Sequence, residues 1–330
     1  MYERVQGVVS RHSTTPQQQQ EAPNGPKTPS NKPPRIDAEL TPVQYNPPEV
    51  IFVGQVGLGT PLQNFRLAFE IGSADTWVAL ENVNCKDPEP CSPKRQVFYP
   101  QRSSTFDPAP NKHWEVRLSD KSKVEGWLHT DVLQVAEFAI SHQVIGMATA
   151  MTGFKDMGAD GTFALGLSSL AARAGDATPI ENLITANGMK SEVGIWLGSG
   201  KQGGELIFGG NDPESFKGDL SYFDLPNKSV YWAIPAASIS VDEAVASAET
   251  ETGTPGTTTT TPSSSKIKQI NRLGQDSKLP NVIFDTSSNL ILLPPRVATR
   301  LHRYIQNHIF GLYTGYNLFI KAFTVPCNLN

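Results

Sequence analysis

The sequence is poor in the residues on which several common chemistries depend. It has three cysteines, Cys85, Cys91 and Cys327, and three cannot all pair within one chain. Cys85 and Cys91 do not have CxxC spacing, and the six histidines form no HExxH pattern, so no metal site is expected. No G-x-S-x-G segment occurs, which removes the usual marker of a serine-hydrolase elbow. The stretch GSGKQGG at 198–204 lacks the first glycine of a phosphate loop, and Gln202 follows Lys201 where Ser or Thr is needed. It reads as a turn before a strand, and no cofactor is expected. There is no apolar run of 18 residues, so no membrane-spanning helix is expected. The opening MYERVQGVVSRHS has no long apolar stretch of the kind that marks a signal peptide. Charge is scarce and balanced: 28 Lys and Arg against 32 Asp and Glu give a net charge of −4. Nothing in that balance favours nucleic acid or an anionic membrane surface as partner.

In place of charge the chain has turn formers, with 27 Gly and 26 Pro. Low charge with many turn residues suits an all-β protein. Short apolar or alternating runs at 50–58, 65–69, 77–80, 132–140, 142–146, 204–208, 219–223, 230–234 and 282–284 are expected strands. Helices are expected only at 179–187, with Pro179 in the first turn, and at 294–307. Residues 1–48, with QQQQ and many prolines, read as a disordered tail. Residues 242–280, centred on ETETGTPGTTTTTPSSS, read as a low-complexity insertion. Asn227-Lys228-Ser229 matches the glycosylation sequon, a short and common triplet.

A weak internal repeat organises the rest. Phe69-Glu70-Ile71-Gly72-Ser73 and Phe284-Asp285-Thr286-Ser287-Ser288 each follow an apolar strand. Each has an acid, a β-branched residue and two small residues, and an apolar run follows (TWVAL, LILLPP). Two related lobes, each giving one carboxylate from a tight loop, would produce this pattern.

The continuous segment 54–78, GQVGLGTPLQNFRLAFEIGSADTWV, makes the pattern specific. Gly59, Thr60, Pro61, Gln63, Phe65, Gly72, Ser73, Trp77 and Val78 stand in the order found in pepsin-like aspartic proteases, which the chain resembles. Further landmarks follow in family order: Cys85 and Cys91, Phe98 with Ser103-Ser104-Thr105-Phe106, Asp160-Gly161, Leu165-Gly166-Leu167, GELIFGG at 204–210, Tyr231-Trp232, and 282–294. The resemblance implies an all-β, bilobal acid-protease fold with a complete first lobe and a partial second lobe. The expected divisions are a tail at 1–48, an N-terminal lobe at 49–222, interlobe strands at 223–241, the insertion at 242–280 and the partial C-terminal lobe at 281–330. It also implies a monomer, a disulfide between Cys85 and Cys91, and a peptide or protein bound in the interlobe cleft. The family's compartments are secreted or vacuolar. The chemistry implied is a carboxyl dyad sharing one proton, a situation in which like charges force two acid pKa values apart.

Against that family pattern the sequence departs at its centre. Glu70 stands where the first catalytic Asp is expected, and Asp285 stands at the second. Ile71 replaces the hydroxyl residue that would pair with Thr286, and Ser287 replaces a glycine. Thr286 is therefore expected to lose its reciprocal partner, at a cost of about 1–3 kcal/mol if its hydroxyl is left unpaired. Gly72, Ser73, Thr286 and Ser288 remain as supporting residues, with the Ser73 and Ser288 hydroxyls as donors to the two acids. The substrate-covering hairpin aligns as Leu118-Ser119-Asp120 and lacks the family's tyrosine. Asp75 and Asp160 fit turn positions rather than substitute acids. The expected outcome is a homologue without proteolytic activity. An active Glu70/Asp285 endopeptidase at acidic pH and a truncated, non-functional fragment are the alternatives.

Overall fold

The computed structural model describes residues 4–5, 36–44, 50–85, 95–117, 122–153, 158–173, 176–198, 202–234, 240–242, 267–269, 281–287, 291–295, 297–299, 303, 315–317 and 322–324. The chain divides into two compact units. The first is Met1–Ile234 with Ile283–Asn289, and the second is Pro235–Val282 with Leu290–Asn330.

The strands of the first unit are β1 (Arg4–Val5), β2 (Ile36–Gln44), β3 (Val50–Leu58), β4 (Gln63–Glu70), β5 (Trp77–Cys85), β6 (Asp107–Arg117), β7 (Lys123–Val135), β8 (Phe138–Thr152), β9 (Gly161–Ala164), β10 (Val193–Leu197), β11 (Gly204–Phe208), β12 (Phe223–Asp224) and β13 (Ala233–Ile234). Ten of them form one sheet in the order β10-β11-β2-β3-β4-β9-β5-β8-β7-β6. An added pairing of β3 with β7 closes six of the ten into a ring, leaving β10, β11 and β2 as a flange on one side and β6 on the other. Within the ring, closure removes the exposed edges that an open sheet would carry. β9 runs parallel to β4 and antiparallel to β5, threading between them. Gly161 makes that passage possible, because a Cβ there would lie 2.0 Å from the Trp77 carbonyl oxygen.

The core follows from strand alternation. Val56, Leu58, Phe65, Leu67, Phe69, Leu133, Ile145 and Phe163 are buried in one cluster. Phe69 and Phe163 stack with ring centroids 4.7 Å apart, locking β4 against β9. The helix α1 (Pro179–Asn187) has the bounds expected from its sequence. Thr178 and Glu181 form a reciprocal capping box, and Gly188 ends the helix in the left-handed conformation.

Several expectations are corrected. Ile36–Gln44 lies in the stretch read as a disordered tail, yet it pairs with both β3 and β11. Its IDAEL alternation buries Ile36 and Leu40, each 1% exposed, and the surrounding prolines hide that signal. The stretch 132–140 is two strands, not one. Ala136 takes a positive φ of 50° at the turn between β7 and β8, with no Gly or Asn to mark it. The expected strands at 219–223 and 230–234 shrink to the two-residue β12 and β13.

In the second unit, β14 (Ser240–Asp242) pairs with β15 (Ile267–Gln269), at the two sides of the Thr/Pro-rich stretch. β16 (Val282–Ile283) leads from this unit into the second acid motif. β17 (Gly315–Asn317) pairs with β18 (Ala322–Thr324). Of the helix expected at 294–307, Pro295, 297–299 and Arg303 are helical, and its other residues beyond Pro294 lie outside the described residues.

Candidate active site

Glu70 is the last residue of β4, so its position is fixed by the sheet before the chain turns. The loop after it is tied down by its own backbone. Leu165 N–H donates to the Glu70 carbonyl at 2.8 Å, and Gly166 N–H donates to the Ser73 carbonyl at 2.7 Å. The Thr76 hydroxyl accepts from Ala164 N–H at 2.9 Å. Gly166 has to be glycine for this approach, since a Cβ would sit 2.5 Å from the Ser73 carbonyl oxygen.

The 283–289 segment belongs to the same compact unit as Glu70. Phe284 N–H donates to the Trp232 carbonyl at 3.0 Å, and the Trp232 ring N–H donates to the Leu165 carbonyl at 2.8 Å. Asp285 lies over Gly72, where a Cβ would come within 3.4 Å of its Oδ1. The two acids of the internal repeat are thus brought together, with the Asp285 charge acting on Glu70.

Glu70 is half-buried. Burial first, and the Asp285 carboxylate second, push its carboxyl up from 4.5 to about 7. A hydrogen bond from the Thr162 hydroxyl works in the opposite direction by favouring the ionised form. Thr162 is 2% exposed and is a site residue that sequence reasoning missed. It lies in the Asp160–Leu167 landmark, and a hydroxyl on a strand that threads beside an acid loop was the available signal. Asp285 is exposed, and its Oδ1 accepts from the Ser287 N–H at 2.9 Å and the Ser287 hydroxyl at 2.7 Å. Ser287, noted in the sequence as a lost glycine, is therefore a donor to the acid.

Thr286 is not left unpaired. Its hydroxyl donates to the Phe69 carbonyl at 2.7 Å and accepts from Ile71 N–H at 3.2 Å. Backbone groups of the Glu70 loop take the place of the side-chain partner that Ile71 cannot offer. The Ile71 side chain, 8% exposed, packs in the core instead.

The Ser73 hydroxyl accepts from Asp75 N–H at 3.4 Å, while the side-chain bond to Glu70 comes from Thr162. Ser288 lies outside the described residues, as do Cys91 and the hairpin residues Leu118, Ser119 and Asp120. The strands β6 and β7 that carry the hairpin are described and paired. Cys85 ends β5. Asp160 accepts from Arg66 N–H at 2.7 Å and Gln96 N–H at 2.8 Å. Asp75 accepts from Ala172 N–H at 3.1 and 3.2 Å. Both acids serve the backbone, as their turn positions suggest.

Ile71 and Phe284, the neighbours of the two acids, line an apolar pocket with Leu165, Ile180, Ile207 and Trp232. Neither Glu70 nor Asp285 lines it. Among the described residues no group of three His, Cys, Asp or Glu is placed to hold a metal ion. No helix among them is long and apolar enough to cross a membrane.

The two acids of the internal repeat lie on loops joined through Thr286, and comparison with known proteins gives the scaffold that carries them. The profile of the eukaryotic aspartyl protease family matches residues 51–287. The chain belongs to that family. It is 29% identical over 259 residues to rhizopuspepsin-1 of Rhizopus niveus, covering 77% of this chain and 57% of that protein. It is 31% identical over 206 residues to syncephapepsin of Syncephalastrum racemosum, covering 61% and 49%. Mouse cathepsin E is 33% identical over 201 residues, covering 59% and 48%. The chain thus spans about half the length of the curated relatives it matches.

Proposed function

We propose that this aspartyl protease homologue has lost peptide-bond hydrolysis and retains the capacity to bind an extended peptide. The observation that carries the reading is Glu70 at the end of β4, followed by Ile71. Glu reaches farther than Asp by one C–C bond, about 1.5 Å. Productive sites hold their groups to within about 0.5 Å, and a displacement of about 1 Å can cost roughly a hundredfold in rate. Among the described residues, both bonds between the loops use one side chain: the Thr286 hydroxyl donates to the Phe69 carbonyl and accepts from Ile71 N–H. Ile71 has no hydroxyl to return them. The Asp285 loop therefore lacks one of the constraints that would hold two carboxyls level.

A second reading has one observation in its favour. Glu70 held near 7 beside Asp285 keeps its own proton in acid, as one member of a working dyad must. In that reading protonated Glu70 donates to the scissile carbonyl, and Asp285 accepts a proton from the attacking water. Cys91, six residues beyond Cys85, is the proposed disulfide partner, and a secreted or vacuolar location goes with that bond.

The test uses the purified full chain and an unfolded protein substrate at pH 3–5, with and without an inhibitor that mimics the tetrahedral intermediate. The wild type is expected to be inert and to show substrate-competed peptide binding, and the variant Glu70→Asp with Ile71→Thr is expected to gain cleavage. Inhibitor-sensitive cleavage by the wild type, abolished in Asp285→Ala, establishes the second reading instead.

A further inference from the structure

We propose that Asn227 is an N-glycosylation site, whose acceptor turn is presented by the folded first unit. The inference is independent of the reading of the acid pair. Asn227-Lys228-Ser229 is the one N-x-Ser/Thr triplet in the sequence. In the fold it is a turn over residues 226–229, closed by the Ser229 N–H donating to the Pro226 carbonyl at 2.9 Å. Lys228 sits at the third position of the turn with a φ of 64°, the left-handed region that a type II turn requires there.

Asn227 and Lys228 are exposed. Among the described residues nothing hydrogen-bonds the Asn227 carboxamide, so attaching a sugar there breaks no contact. Ser229, the other residue the sequon requires, is held in place: its hydroxyl donates to the Tyr231 carbonyl at 2.7 Å and accepts from Tyr231 N–H at 3.3 Å.

A further observation points the same way. Tyr222 and Phe223 before the turn, and Val230 and Tyr231 after it, are all exposed large apolar residues. Apolar surface concentrated on both sides of one turn is unusual on a free protein surface, and a glycan rooted at Asn227 would cover it. The proposed Cys85–Cys91 disulfide goes with the same oxidising compartment in which N-glycans are added.

The reaction needs a lipid-linked oligosaccharide diphosphate as co-substrate. The Asn227 amide nitrogen attacks the anomeric carbon of the first sugar and loses one proton. The bond between that carbon and the diphosphate oxygen breaks, and the lipid diphosphate leaves with the electron pair. Nothing is oxidised or reduced.

The test expresses the full chain in yeast behind a cleavable leader that routes it into the endoplasmic reticulum, followed by digestion with peptide-N-glycosidase. The expected result is one mobility shift that collapses on digestion, with Asn227 converted to Asp in the corresponding peptide. Asn227→Gln and Ser229→Ala abolish the shift, whereas Ser229→Thr and Lys228→Gly, which preserve the sequon, retain it. All four variants melt as the wild type does. Unmodified Asn227 in cooperatively melting chains, in both the wild type and Ser229→Thr, overturns the proposal. Modification confined to molecules that show no cooperative melting overturns it as well, because the folded turn would then not be the acceptor's setting.

Discussion

Replacing Glu70 with Gln separates the charge of the acid pair from its shape. Gln has nearly the same volume and keeps an oxygen to accept the Thr162 hydrogen bond, but it cannot ionise. In the wild type, burial and the Asp285 carboxylate raise Glu70 from 4.5 to about 7. A raised carboxyl means that the folded chain holds a proton across a pH range in which the unfolded chain has lost it. Stability therefore falls as pH rises from about 4.5 to about 7, and is level above that. A displacement of that size corresponds to about 3 kcal/mol in total. Glu70→Gln should then match the wild type at pH 4 and exceed it by about 2–3 kcal/mol at pH 8. For a domain of this size that is roughly 5–10 °C in melting temperature. Thermal and urea unfolding of the full chain at pH 4, 6 and 8 measures the difference directly. An equal gain at pH 4 and pH 8 would refute the reasoning, because the benefit would then not come from an ionising group.

Three further outcomes follow from the same geometry. Thr162→Val removes the one contribution that favours ionised Glu70, so the upper end of the pH range over which stability is lost should move above 7 when read by the same unfolding series. Asp160→Ala leaves the Arg66 and Gln96 amides without their carboxylate. It should destabilise by about 2–4 kcal/mol, and a loss under 1 kcal/mol in urea unfolding would show that water replaces the carboxylate at no cost. Ile71→Thr, taken alone, exchanges a buried apolar side chain for one with a hydroxyl. It should lower stability by about 1–2 kcal/mol, and a stabilised variant would mean that the returning hydrogen bond forms without further change.

The sequence disclosed the site more readily than the sheet around it. The repeat from Phe69 to Ser73 and from Phe284 to Ser288 was legible because both copies keep an acid between an apolar strand and small residues. Steric need preserves such spacing even when residue types drift. The capping box at Thr178 and Glu181 was legible because its signals are local. β2 was not legible, since five residues of alternation lie inside a proline-rich stretch and only the pairing with β3 and β11 decides their state. Thr162 and Ser287 were missed for a related reason. What they do depends on which strand passes beside which loop, and neighbours in space need not be neighbours in sequence. The break at Ala136 shows the limit of turn chemistry, for the tight β7–β8 connection forces a positive φ on a residue that carries no sign of it.

The join between the two acid loops has a particular vulnerability. Among the described residues, both hydrogen bonds that cross it meet at a single oxygen, Thr286 Oγ1. A clasp with a hook on each side survives the loss of either one; this clasp has a hook on one side only. Any change that removes that oxygen breaks both bonds at once, so the link between the loops should be least tolerant of variation at a residue that carries no charge and performs no chemistry itself.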